Sequence, residues 1–147
     1  MKLIYLGADH AGFELKEQLK NWLKQKKICF NDLGNKVLDV NDDYPDYAEK
    51  VAKAVVKNKS FGILVCGSAQ GMCIAANKIR GVRAVVPFSL KETILSREHT
   101  GANIICLSGW FFTLTLAKKM VNAFLTTSFS KKKRHFRRLQ KIKRLEQ

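Results

Sequence analysis

Phe61-Gly-Ile-Leu-Val-Cys66-Gly67-Ser-Ala-Gln-Gly71-Met72-Cys-Ile-Ala-Ala-Asn-Lys78 is the stretch that decides the fold. Its first six residues are apolar without alternation, which reads as a strand buried on both faces, as in a parallel sheet. Gly67 to Gly71 reads as a tight turn, and the Ala-rich segment after it as a short helix. A thiol, Cys66, is thereby set at the carboxyl end of a strand, facing the amino end of a helix. Open α/β sheets place their ligands there, and unpaired N–H groups with the helix dipole favour anions. The same field is expected to lower the Cys66 pKa and raise its thiolate fraction.

Strand and helix patterns alternate on both sides of this stretch. Leu3–Leu6 reads as a strand, and Phe13–Lys26 as an amphipathic helix with Phe13, Leu15, Leu19, Trp22 and Leu23 toward the core. Ile28–Leu33 is a second strand, followed by a polar loop, Asn35 to Tyr44, rich in Asp. Pro45 suits the first turn of a helix to Asn58, with Ala48, Val51, Ala52 and Val55 at helical spacing. Gly81–Val86 and Asn103–Leu107 are the fourth and fifth strands. Ser89 caps a helix running through Glu98, with Glu92 placed for a capping box. Thr113–Leu125 and Lys132–Glu146 close the chain as helices. Five βα units without repeat or linker predict one Rossmann-like α/β domain over residues 1–147: a five-stranded, mostly parallel sheet flanked by helices, with a basic C-terminal helix.

The chain has 147 residues, 46% hydrophobic and 27% charged, which fits a globular domain with an ordinary core. No signal peptide is visible, and the longest nearly uncharged stretch, Gly101 to Ala117, is too broken for a membrane span. Cys29, Cys66, Cys73 and Cys106 lack zinc-type spacing; buried free thiols, Cys29 and Cys106 above all, and a cytoplasmic location are expected. The three histidines also lack metal-ligand spacing, so no metal is expected. Gly7-Ala-Asp-His-Ala-Gly12 stands where a dinucleotide fingerprint would be, which argues against a nicotinamide or flavin cofactor. Net charge is +15, and nine basic residues against Glu146 alone lie between Lys131 and Gln147. Nucleic acid is one reading of that tail. A solvated basic helix is preferred, because no aromatic interleaving accompanies the charges.

Several polar residues fall at strand ends. Asp9 and His10 follow the first strand and should share a crevice with Cys66, although an Asp there can also cap the next helix. Tyr44 lies in Asp43-Tyr-Pro-Asp-Tyr47, which reads equally as a structural turn. His99 stands at a helix end before the fifth strand, where a His is often only a dipole partner. Arg134 and Arg138, four apart on one helix face, could clamp a phosphate or be surface charge.

Taken together, Gly7-Ala-Asp-His-Ala-Gly-Phe13, Asp43-Tyr-Pro-Asp-Tyr-Ala48, Gly62-Ile-Leu-Val-Cys-Gly67, Gly71-Met-Cys-Ile-Ala-Ala-Asn-Lys78, Arg97-Glu-His99 and Arg134-His135 with Arg138 closely resemble ribose-5-phosphate isomerase type B. The wider group includes the galactose-6-phosphate isomerase subunits. The resemblance covers nearly the whole chain in order. It implies an aldose–ketose isomerase of the pentose phosphate pathway, without a cofactor, acting on a phosphorylated sugar. It also implies a homodimer or dimer of dimers whose active sites are lined by both subunits.

Carried over by position, Cys66 matches the base that moves a proton between C1 and C2 of the open-chain sugar. Some members use a Glu after the second loop glycine; here Met72 stands there, so the role falls to Cys66. Gly67 to Gly71, with Ser68, match the anion hole for the enediolate. His99 matches the ring-opening group, Asp9 a partner for sugar hydroxyls and the ring proton, and Tyr44 and Thr100 substrate contacts. His10, Arg134 and Arg138 match the phosphate grip. Three positions depart from the family pattern: Thr100 for a common Asn, Trp110 for a frequent Arg, and Lys132-Lys133 for Gly-Gly. A six-carbon sugar phosphate is the alternative substrate. A nucleic-acid binder on a retired isomerase scaffold is the alternative of another class.

Overall fold

The computed structural model describes residues 3–146. Its strands are β1 (Ile4–Ala8), β2 (Phe30–Asp32), β3 (Phe61–Cys66), β4 (Ala84–Val85) and β5 (Ile104–Ser108). The helices are α1 (Phe13–Gln25), α2 (Tyr44–Asn58), α3 (Gln70–Asn77), α4 (Leu90–Thr100), α5 (Leu114–Thr126) and α6 (Lys133–Arg144). The sheet order is β2-β1-β3-β5-β4, with every pair parallel. The chain leaves β1 toward one edge and returns through β3 toward the other. The loops after β1 and β3 therefore diverge and leave a crevice at the carboxyl ends of those strands.

The unbroken apolar run of β3 is explained by two cores. Ile63 and Val65 face α1 and α5, against Leu19, Leu23, Met120 and Phe124. Leu64 and Cys66 face α2 and α3, against Val51, Val55, Met72 and Ala76. Side chains alternate between faces, and both faces are covered.

The edge strands are shorter than the sequence suggests, because each has one neighbour to hold it: β2 pairs only with β1 and β4 only with β5. Cys29 lies before β2 and is exposed, contrary to the buried thiol expected there, whereas Cys106 on central β5 is buried. Phe13 is only half-buried; Lys16 instead reaches full burial in α1. Its ammonium donates to Asp32 at 2.7 Å and to the Asn35 carbonyl at 2.8 Å. Burial pushes the Asp32 carboxyl up, but the bonds from Lys16 and Lys20 outweigh it, and the group lies below its usual range.

Candidate active site

The crevice is held open by close main-chain approaches. A Cβ on Gly12 would lie 2.1 Å from the Val65 carbonyl oxygen, so the start of α1 can sit against the end of β3 only as glycine. Gly12→Ala should destabilise the fold by at least about 3 kcal/mol, read as a lowered melting temperature; an unchanged one would contradict this packing. On the other flank, the Gly109 amide donates to the Cys66 carbonyl at 2.8 Å and the Ser108 hydroxyl to the Gly67 carbonyl at 2.6 Å. The end of β5 is thus laced to the turn that follows the thiol.

Between these flanks lies a cavity of about 200 Å³. Asp9, His10, Tyr44, Cys66, Gly67, Ser68 and Gly71 all line it, as the sequence suggests. Trp110 joins them, with its indole over Gly67, while the Tyr44 ring covers Gly71. The cavity is not the largest on the molecule; an apolar groove beneath α6 exceeds it but holds none of these groups.

Cys66 is 4% exposed. Burial is the largest influence on its thiol and raises its pKa; the backbone N–H groups of Met72 and Ala69 pull it down, and the Asp9 carboxylate pushes it up again. The net shift is upward, against the lowering expected from the helix dipole alone. Desolvation of the anion outweighs two N–H donors when a carboxylate stands nearby. Asp9 accepts a 3.0 Å bond from the Gly12 amide, so it terminates the β1 turn as well as facing the cavity. Burial raises its pKa despite that bond.

His10 is exposed on the rim. Its Nδ1 lies 2.7 Å from Asp42 Oδ1, and its main-chain N–H donates to the same oxygen at 3.1 Å. That bond raises the His10 pKa above the usual imidazole range. Asp9, His10 and Asp42 form the one group of three such side chains among the described residues whose ligand atoms lie within 4.8 Å. Asp42 and Asp9 already accept internal bonds, and no metal is assigned to them. Asp42 was legible in the sequence only as one of several loop acids.

Four expected site residues lie outside this cavity. His99 is exposed at the end of α4, its ring 4.4 Å from that of His135 on α6. Arg134 Nε donates to His135 Nε2 at 3.3 Å, and His135 Nδ1 meets the Ser130 hydroxyl at 2.7 Å. Arg134 and Arg138 are exposed, one turn apart. Thr100 donates to the Ser96 carbonyl at 2.6 Å. His99 and Arg134 thus form a second constellation around His135, apart from Cys66. Arg97, in the same motif as His99, is a buried brace: it donates to the Ala102 and Thr127 carbonyls and stacks on Phe61 and Phe124.

Trp110 and Phe111, at and beside the cavity mouth, are 68% and 70% exposed. Adjacent aromatic surface of this kind marks interaction sites more often than free surface. No helix among the described residues is long and apolar enough to cross a membrane.

Residues 4–142 match the family model described as Ribose/Galactose Isomerase. A relative from Mycoplasma genitalium, "Probable ribose-5-phosphate isomerase B", is 45% identical over 97% of this chain and 95% of its own length. The ribose-5-phosphate isomerase B of Mycobacterium tuberculosis is 42% identical over 92% of this chain and 85% of its own. The crystal structure of the Mycoplasma genitalium enzyme with bound ribulose-5-phosphate superposes with a TM-score of 0.93 at 44% identity, covering 98% of this chain and 95% of that one. A Thermotoga maritima ribose 5-phosphate isomerase structure gives 0.92 at 43% identity, with 97% of both chains covered. With a matching family model over most of its length and relatives this similar, the chain belongs to the ribose/galactose isomerase family.

Proposed function

We propose that this chain interconverts ribose 5-phosphate and ribulose 5-phosphate, with Cys66 as the proton-transfer base. The observation that carries the reading is a thiol at the floor of a small cavity, beside a carboxylic side chain and two N–H groups aimed at its sulfur. Isomerisation removes a weakly acidic C–H next to a carbonyl and leaves negative charge on oxygen. A positioned base and fixed donors are what such a step needs.

In the forward direction the Cys66 thiolate takes the proton from C2 of the open-chain aldose. The electron pair forms the C1–C2 double bond, and the carbonyl oxygen gains the negative charge. Backbone N–H groups between Gly67 and Gly71, with the Ser68 hydroxyl, hold that enediolate. The loss of one such donor typically costs about 3–4 kcal/mol. The thiol then returns its proton to C1, and Asp9 passes the hydroxyl proton between the two oxygens. This chemistry asks for no cofactor.

The working unit is proposed to be a homodimer in the cytoplasm, or a dimer of such dimers. In one chain His99, Thr100, Arg134 and Arg138 stand away from the thiol, while the cavity mouth carries exposed Trp110 and Phe111. A second copy covering that mouth would bring His99 of the partner subunit to open the sugar ring. It would bring Arg134 of the partner subunit and Arg138 of the partner subunit to the phosphate.

A coupled assay should detect ribulose 5-phosphate formed from ribose 5-phosphate by the purified chain, faster than any conversion of allose or galactose 6-phosphate. Conversion of a six-carbon substrate alone would move the assignment to the other branch of the family.

A further inference from the structure

We propose that Asp42 is a positioning residue: it grips His10 through Nδ1 and the main-chain N–H, and so turns Nε2–H toward the phosphoryl end of the bound sugar. The inference rests on the sugar-phosphate reading above and adds to it a residue from a different loop.

The grip is built rather than incidental. The Asp42 side chain is only 3% exposed although it sits in an otherwise exposed loop. One carboxylate oxygen accepts both His10 bonds, at 2.7 and 3.1 Å. The other accepts from Asn35 Nδ2 at 2.9 Å. Asn35 is itself fixed: its amide donates to the Ala8 carbonyl at 2.9 Å, and its carbonyl accepts from buried Lys16 at 2.8 Å. A chain of bonds therefore runs from the core of α1 through the loop after β2 to the ring on the cavity rim.

The chemistry follows from the two ring nitrogens. A carboxylate on Nδ1 fixes the donor there and favours the imidazolium, in which Nε2 also donates. An imidazolium on the rim suits a dianionic phosphoryl group better than a neutral ring. The other titratable groups around His10 are Asp9 in its own loop, Asp39 beside Asp42, Tyr44 on α2 and Cys66 at the end of β3. Asp9 and Asp39 favour the cation as well, but neither is hydrogen-bonded to the ring among the described residues. Asp42 is the group that sets orientation.

The test compares wild type, Asp42→Asn and Asp42→Glu in two measurements. In steady-state kinetics on ribose 5-phosphate from pH 6 to 9, Asp42→Asn should raise KM about tenfold near neutral pH with kcat nearly unchanged. Asp42→Glu should recover part of that loss. In ring-nitrogen NMR of the free protein, His10 should titrate at lower pH in Asp42→Asn than in wild type, because the bond that raises its pKa is weakened, and inorganic phosphate should perturb its Nε2 less. An unchanged KM together with an unchanged His10 titration would overturn the proposal, as would a loss confined to kcat. If wild type isomerises no sugar phosphate, the functional reading fails, while the NMR arm still decides whether Asp42 governs His10 and its contact with phosphate.

Discussion

Replacing Cys66 by alanine should lower kcat for ribose 5-phosphate by about two to four orders of magnitude, the range a positioned base contributes. Binding of ribulose 5-phosphate should survive, because the substitution leaves the proposed phosphate grip (His10, Arg134 and Arg138) and the loop amides in place. The small volume lost at a nearly buried position leaves the fold intact, so a normal melting curve should accompany the dead enzyme. Cys66→Ser should be as inactive, since a hydroxyl does not ionise near neutral pH.

The upward shift of the thiol fixes the sign of the pH dependence. The base must be deprotonated, so kcat/KM should rise with pH through the neutral range, by at most about tenfold per unit. Substantial turnover by Cys66→Ala, or a rate flat across that range, would remove the thiol from the base role.

The second large effect concerns the residues the single chain keeps apart. Arg134→Ala should raise KM about thirtyfold, the equivalent of roughly 2 kcal/mol for a lost charge-assisted bond to phosphate. Its decisive form is a mixing experiment with Cys66→Ala at low substrate. In a two-fold dimer with sites lined by both subunits, a hybrid has one site in which both residues are mutated and one in which neither is. Random reassociation of equal amounts makes half the dimers hybrid, so about one quarter of wild-type activity should return. If each site were complete within one chain, no hybrid would hold an intact site, and activity would stay at about half that of the same total amount of Arg134→Ala protein.

The sheet was legible because β1, β3 and β5 are apolar on both faces, a pattern only a covered parallel sheet requires. Edge strands were less so: β2 and β4 keep three and two residues because half their hydrogen-bonding groups have no strand to meet. The glycine turn after Cys66 and the polar residues after β1 pointed correctly to one crevice. Two things were out of reach. The direction of the thiol's pKa depends on burial and on the distance to Asp9, and neither is a property of local sequence. Asp42 is one acid among several in its loop, and only the fold shows that it is buried and bonded to His10. His99 and Arg134 read as site residues, yet in the fold they gather around His135, outside the cavity.

Solvent deuterium offers the most direct test of the proton transfer proposed for Cys66. Wild-type protein incubated with ribulose 5-phosphate in D2O should place deuterium at C1 of the recovered ketose and C2 of the aldose. Cys66→Ala, with the same sugar phosphate bound, should place none above the uncatalysed background. Deuterium incorporation by Cys66→Ala at the wild-type rate would mean that another group takes the proton.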